Sequence, residues 1–118
     1  MRNLLSPPKV MTFSATDPTG GAGLQADVLT LASMYCHPIS IATAISVQDT
    51  KGVESLIPLD SKQIKEQAIT VLNDVSVSVF KLGLLGSLEN IRAVADILNS
   101  YPNTPVVIDP IISSGRGD

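Results

Sequence analysis

Several residue types are scarce in this chain of 118 residues, and each scarcity excludes a class of protein or site. The single cysteine, Cys36, excludes a disulfide framework and a zinc site built from cysteines. Tryptophan is absent and aromatic residues make up only 3%, so we expect an aliphatic core and no stacking platform for nucleic-acid bases. Because lysine and arginine form no cluster either, we expect no nucleic-acid partner.

Long apolar runs are lacking as well. No segment approaches the roughly 18 residues that a membrane-spanning helix needs. The first ten residues, MRNLLSPPKV, contain too short an apolar stretch for a signal peptide. The chain does have 44% hydrophobic residues, a formal net charge of −3 and a length that suits one domain or part of one. These features predict a cytoplasmic protein without a membrane partner.

Apolar runs alternate with helical patterns along the chain. Four strands are predicted, the first and last of them buried, at 9–15, 37–48, 75–85 and 104–112. The short run 53–59 fits an edge strand or flap, since Pro58 cannot donate to a ladder. Within 37–48, large and small residues alternate, which predicts a small-residue face leading to Gln48 and an opposite apolar face. That apolar face would contain Ile39, Ile41, Ile45 and Val47.

Three helices are predicted between these strands. Asp60 with Gln63 resembles an acidic capping box that opens the second helix, and Ser87 with Glu89 opens the third. The predicted apolar positions are Leu24, Val28, Leu31 and Tyr35 in the first helix, Ile64, Ala68, Val71 and Leu72 in the second, and Ile91, Val94, Ala95 and Leu98 in the third. This alternation predicts an α/β fold with a mainly parallel sheet and helices on both faces. No helix follows the last strand, so residues 1–118 are expected to be the first part of a larger domain.

Parallel strands have their carboxyl ends at one edge of the sheet, where open α/β folds bind ligands. The polar residues expected at this edge are Asp17, Gln48, Asp49, Lys81 and Asp109. Loops are polar in any case. The polar residues alone are therefore weak evidence of a site. The serine and alanine face of strand 37–48, which leads up to Gln48, adds to it because small side chains leave room for a helix or a ligand to pack closely.

The segment TDPTGGAGLQAD, residues 16–27, carries three glycines ahead of the first helix. Residues 21–26 fit the loose dinucleotide pattern G-x-G-x-x-A, and N–H groups at a helix N-terminus attract anions. The dinucleotide version needs a tight turn directly off the strand, whereas five residues intervene here and Asp17 would add negative charge beside a pyrophosphate. From the residues alone, either a small ligand approaches this loop closely or the loop is a plain turn between strand and helix.

Four segments together carry a family resemblance: DPTGGAGLQADVLT, ATAISVQDTKGV, FKLGLLGS and VVIDPII. In order and spacing they resemble the hydroxymethylpyrimidine/phosphomethylpyrimidine kinases of thiamine biosynthesis, which belong to the ribokinase-like superfamily. The resemblance covers the chain from about Lys9 and about the first half of the family's length. It implies a Rossmann-like three-layer fold, of which residues 1–118 are the N-terminal part of a single kinase domain. It also implies a homodimer that uses ATP and Mg²⁺ to phosphorylate 4-amino-5-hydroxymethyl-2-methylpyrimidine and then its monophosphate.

Carried onto this chain, the resemblance places a pyrimidine pocket at the glycine loop and the strand ends. Its residues would be Gly21, Ala22, Asp27, Gln48, Leu84 and Ile111, with Leu84 and Ile111 as apolar walls. The Gln48 amide would pair with the ring, because it offers a donor and an acceptor that an aminopyrimidine can meet. Asp109 would lie in the phosphate and magnesium region. Lys81 matches a family lysine and suits either ligand contact or a structural ion pair.

The family's anion hole, a G-T-G-C segment that opens a late helix and carries a catalytic cysteine or aspartate, has no counterpart in residues 1–118. Cys36 lacks such a glycine-rich turn and is expected to be a packed structural thiol. We therefore expect no catalytic residue in this segment and no ATP turnover by it alone. Two alternatives stay open: a pyridoxal or pyridoxine kinase of the same superfamily, and a non-catalytic module that binds a pyrimidine or a dinucleotide.

Overall fold

A computed structural model describes residues 6–109, which form five strands and three helices. In chain order these are β1 (Lys9–Ala15), α1 (Gly23–Ser33), β2 (His37–Gln48), β3 (Val53–Pro58), α2 (Ser61–Leu72), β4 (Val79–Leu82), α3 (Leu88–Asn99) and β5 (Val106–Ile108). The strand order in the sheet is β3-β2-β1-β4-β5, and every pair is parallel except β2 with β3. The predicted α/β fold and the edge strand at Pro58 are confirmed. None of the helices within 6–109 is long and apolar enough to cross a membrane.

Helices cover both faces of the sheet, as predicted, and the alternation of β1 shows how. Met11 and Phe13 point to one face and pack with residues of α2 and α3, whereas Thr12 points to the other and contacts Asp27 of α1. The core cluster consists of Met11, Phe13, Ile41, Ile64, Ala68, Phe80, Val94 and Ile97. Its two largest members are Phe13 and Phe80, with ring centroids 6.3 Å apart. The core is mainly aliphatic, as expected, but its two largest side chains are aromatic, because scarcity does not determine where the few aromatic rings lie.

The starts of α2 and α3 are those predicted. The Asp60 carboxylate caps α2 by accepting from the Lys62 N–H at 2.9 Å, and the Ser87 hydroxyl caps α3 by accepting from the Asn90 N–H at 3.1 Å. These side chains satisfy N–H groups that have no partner inside the first turn of a helix. Both helices therefore begin where the chain leaves the carboxyl-side loops of the sheet.

The buried face of α3 differs from the predicted one. Asn90, Ala93, Val94 and Ile97 are buried, whereas Ile91 is 50% exposed and Ala95 is exposed. The helix is rotated because the buried Asn90 amide donates to carbonyl oxygens of the loops beneath it. Asn90 is therefore buried in the helix face that packs on the core, whereas Ile91, which apolar spacing predicted to be buried, is exposed.

The first helix is shorter than predicted. It ends at Ser33, and Tyr35 lies beyond it with a φ of +62° and 88% of its surface exposed. The Cys36 N–H donates to the Leu31 carbonyl and the Tyr35 N–H donates to the Ala32 carbonyl, which is the Schellman ending of a helix. Tyr35 therefore occupies a left-handed position that usually holds glycine, not the apolar face of the helix.

Two predicted apolar surfaces are more exposed than expected. The last strand, β5, spans three residues that are all exposed, so the prediction of a buried strand is wrong within the described residues. On β2, Ile41 is buried but Ile45 and Val47 are not. The reason is that β1 ends at Ala15, opposite Ala44, so the last residues of β2 pair only with the edge strand β3.

Candidate functional site

The loop between β1 and α1, residues 16–22, is organised around the carboxylate of Asp17 and is called the glycine loop below. Asp17 is 2% exposed, and its carboxylate accepts from the Thr19 N–H at 2.9 Å, the Thr19 hydroxyl at 2.8 Å and the Ala22 N–H at 2.8 Å. Gln25, in the first turn of α1, accepts from the Asp17 N–H at 2.7 Å. The loop is thus folded around an anion that the chain itself provides.

The charge state of Asp17 follows from these contacts. Burial raises the pKa of the Asp17 carboxyl, but hydrogen bonds from Thr19, Ala22 and Gly21 stabilise the carboxylate and leave its pKa below the ordinary value of 3.8. A negative charge therefore stands where a pyrophosphate would need free N–H groups. This arrangement argues against the dinucleotide alternative, because a ligand group that binds beside this carboxylate should be uncharged.

The backbone requires glycine at two of the three glycine positions of the segment. Gly20 and Gly23 have φ of +75° and +61°, and a Cβ on Gly23 would also overlap the Ala15 carbonyl oxygen. Gly21 has no positive φ, and a Cβ there would meet only the Thr19 hydroxyl at 3.4 Å and an Asp17 carboxylate oxygen at 3.8 Å. The fold therefore does not need glycine at 21. Because Gly21 and Ala22 are exposed, the surface beside them is open to close approach by a ligand.

The end of β2 is tied to the start of the glycine loop. The Ser46 N–H donates to the Thr16 hydroxyl at 3.2 Å, and the Ser46 hydroxyl donates to the Thr16 carbonyl oxygen. The half-buried Gln48 amide donates from Nε2 to Ser46 Oγ at 2.5 Å. This contact uses one of the two Nε2 hydrogens and orients the amide, so its second N–H and its carbonyl oxygen can serve a ligand. The small-residue face of β2 therefore carries a hydrogen-bonded support for Gln48.

A second polar group, the Lys81 cluster, joins α1 to β1, β4 and the end of β5. Lys81 Nζ lies 3.1 and 3.0 Å from the two carboxylate oxygens of Asp27 and 3.7 Å from Oδ2 of Asp109. The buried Thr12 hydroxyl donates to Asp27 Oδ2 at 2.6 Å. Lys81 thus forms an ion pair, one of the two roles that the sequence left open. Thr12 was missed, because nothing in a buried strand reveals which residue of a later helix it will face.

The loop after β4 is positioned by two further residues that sequence reasoning missed. Its half-buried Leu84 has its carbonyl oxygen held by the Thr43 hydroxyl at 2.7 Å, and the Asn90 amide donates to the Leu85 carbonyl at 2.9 Å. Buried polar groups of this kind lock a loop because leaving them unpaired is costly. Leu84 therefore has a defined place beside β2. Ile111, the other predicted apolar wall, lies outside the described residues.

A cavity among the described residues lies elsewhere. Its volume is about 630 Å³, and it is an open groove between the outer faces of α2 and α3, lined by charged residues such as Lys65, Arg92 and Asp96. None of the predicted site residues borders it. Within 6–109, no three His, Cys, Asp or Glu side chains come close enough to hold a metal ion by themselves. A magnesium ion at Asp109 would therefore need further ligands, such as phosphate oxygens and water.

Comparison with known proteins shows which family this chain is similar to. The family model described as phosphomethylpyrimidine kinase matches residues 17–118. A hydroxymethylpyrimidine/phosphomethylpyrimidine kinase of Streptomyces coelicolor is 35% identical over 97% of this chain and 42% of its own length. The crystal structure of phosphomethylpyrimidine kinase from Clostridium difficile superposes with a TM-score of 0.86 at 34% identity, covering 94% of this chain and 48% of that one. Pyridoxal kinase of Bacillus subtilis, solved with ADP, gives 0.81 at 28% identity over 91% and 42%. The chain thus spans less than half the length of each of these three proteins.

Proposed function

The chain belongs to the phosphomethylpyrimidine kinase family, and we propose that the protein phosphorylates 4-amino-5-hydroxymethyl-2-methylpyrimidine and then its monophosphate in thiamine biosynthesis. ATP would be the phosphoryl donor. The observation that carries this proposal is the Gln48 amide held by Ser46, which in turn is hydrogen-bonded to Thr16 at the start of the glycine loop. Family membership supports the reaction class, and the geometry supports the substrate class.

The pyrimidine fits the donors and acceptors that the site offers. An aminopyrimidine presents an amino N–H and a ring nitrogen side by side, and a primary amide matches both with its carbonyl oxygen and one N–H. Ser46 holds the Gln48 amide in one orientation, which lowers the entropy lost when the ring binds. Gly21 and Ala22 carry little side chain, so a flat ring can approach their backbone. We propose that the hydroxymethyl group to be phosphorylated faces Asp109, where the family resemblance puts the phosphate and magnesium region.

The exposure of Asp109 supports a place for Mg²⁺ at this residue. Mg²⁺ in phosphoryl-transfer sites is usually held by one or two carboxylates together with substrate phosphates and water. The Asp109 side chain is 64% exposed at the end of β5, so it can offer an oxygen ligand without leaving the sheet edge. When bound, the ion would offset the negative charge of the phosphates. The donors within residues 6–109 fit such a shared site and not a closed cage.

Replacement of Gln48 tests the proposal. In the whole protein, Gln48→Ala should raise the KM for the pyrimidine by about tenfold to a hundredfold, since two hydrogen bonds to the ring are lost. The KM for ATP should stay within about twofold, because the amide acts on the ring alone. The matched control is Gln63→Ala, which truncates an exposed glutamine on α2. An unchanged pyrimidine KM in the Gln48 variant would count against the assignment.

Two other functions deserve the same assay. The similarity to a pyridoxal kinase supports pyridoxal or pyridoxine as a second candidate substrate, and a side-by-side comparison of kcat/KM for the alcohols decides between them. A non-catalytic module would bind the pyrimidine without consuming ATP. We retain the homodimer as a prediction, which sedimentation of the whole protein can test.

A further inference from the structure

We propose that Lys81 is a positioning residue for substrate binding: its ammonium group fixes the Asp27 carboxylate and leaves one acceptor position of that carboxylate for the substrate. The inference rests on the proposed function and on the family resemblance, which places Asp27 at the pyrimidine. From the sequence, Lys81 suited either a contact with the ligand or a structural ion pair, and the proposal gives it a specific role.

The hydrogen bonds around Asp27 leave a single opening. Each carboxylate oxygen can accept about two hydrogen bonds. Oδ2 is filled by the Thr12 hydroxyl at 2.6 Å and Lys81 Nζ at 3.0 Å, whereas Oδ1 accepts only from Lys81 Nζ, at 3.1 Å, among the described residues. One position on Oδ1 therefore remains. Because Lys81 contacts both oxygens, it determines the direction in which that position points.

The surroundings make Lys81 difficult to replace by solvent. The side chains of Lys81 and Asp27 are only 19% and 17% exposed, so water screens their attraction less than at a surface pair. A Cβ at Gly83 would lie 3.3 Å from Lys81 Nζ, which shows how closely the backbone after β4 encloses the ammonium group. Without Lys81, a carboxylate in this position would keep only the neutral Thr12 hydroxyl, and such a group turns toward water.

Lys81 also connects Asp27 with the predicted phosphate region. Its Nζ lies 3.7 Å from Oδ2 of Asp109, beyond hydrogen-bond distance but close enough for an ion pair. The three side chains together carry one positive and two negative charges. At Asp27 the cluster therefore favours a neutral or positively polarised group, such as the amino group of an aminopyrimidine, whereas a phosphate near Asp109 would need the bound Mg²⁺ to offset this negative charge.

The test compares whole-protein variants by kinetics and by crystal structures without substrate. Lys81→Met should raise the pyrimidine KM by about tenfold or more, with the ATP KM within about twofold. Lys81→Arg should restore most of the loss, because a guanidinium group donates to both carboxylate oxygens. In the Lys81→Met crystal structure, the Asp27 carboxylate should turn away from Thr12. The matched control is Lys65→Met, which removes another lysine–aspartate pair, 3.2 Å from Asp96 on the exposed surface of α2 and α3.

Each outcome decides the matter. The proposal is overturned if, in Lys81→Met, either Asp27 is unmoved or the pyrimidine KM stays within about twofold of the natural value, and also if arginine fails to improve on methionine. If Lys81→Met does not fold, Lys81→Gln takes its place in both measurements. If the natural protein does not phosphorylate the pyrimidine, the proposed function fails. The orientation of Asp27 in the variant crystal structure still decides the role of Lys81.

Discussion

The Asp17 carboxylate should be the main source of stability of the glycine loop, and its replacement tests that directly. In Asp17→Asn, one oxygen can still accept from Thr19, but the new NH₂ group faces the Ala22 N–H, so donor meets donor. A hydrogen bond to a charged group contributes about 1.5–3 kcal/mol, and a buried donor left unpaired costs about 1–3 kcal/mol. Because these effects overlap, we expect the free energy of unfolding to fall by about 2–3 kcal/mol.

The pH dependence supplies an independent check. The pKa of Asp17 is lowered in the folded state, so its contribution to stability is present above its ordinary pKa of 3.8 and is lost as the pH falls through the lower folded-state value. The difference in unfolding free energy between the natural protein and Asp17→Asn should therefore be largest near neutral pH and should shrink below about pH 4. Urea denaturation at a series of pH values measures both quantities.

The matched control is Asp60→Asn. Asp60 also accepts from a backbone N–H, that of Lys62 at 2.9 Å, but it does so at the exposed start of α2. Its replacement should cost less than about 1 kcal/mol, because asparagine caps a helix N-terminus about as well as aspartate does. If Asp17→Asn costs no more than this control at neutral pH, the carboxylate does not organise the loop, and the case against an anion at this helix start fails with it.

Two further predictions concern the backbone. Gly21→Ala should change the free energy of unfolding by less than about 0.5 kcal/mol, because the added methyl meets open surface, but it should raise the pyrimidine KM, because that surface is where the ring is proposed to bind. Gly23→Ala, by contrast, should lower the free energy of unfolding by about 2 kcal/mol or more, because of backbone strain and overlap with the Ala15 carbonyl oxygen. Equal losses of stability in urea denaturation would contradict this interpretation of the loop. Tyr35→Gly should raise the free energy of unfolding by about 1 kcal/mol, since it relieves a left-handed conformation at an exposed side chain. A lower urea midpoint for Tyr35→Gly would show that the Tyr35 side chain stabilises the fold by more than its φ of +62° destabilises it.

The sequence by itself determined the order of strands and helices, the starts of α2 and α3, and the position of the glycine loop. These features depend on local chemistry: alternation, capping side chains at Asp60 and Ser87, and glycines between a buried strand and a helix. The family resemblance likewise depends on short segments whose order is visible in the chain. Nothing of this requires knowledge of which residues meet across the sheet.

Only the tertiary structure decided which side chains meet. The pairs of Thr12 with Asp27, Asp27 with Lys81 and Asn90 with the Leu85 carbonyl join residues of different elements, and no local pattern encodes such partners. The same is true of α3, whose buried face turned toward Asn90 and away from Ile91, and of Ile45, which β1 ends too early to cover. Apolar spacing describes one element at a time, whereas a buried polar group is stable only where an acceptor or donor from another element completes it.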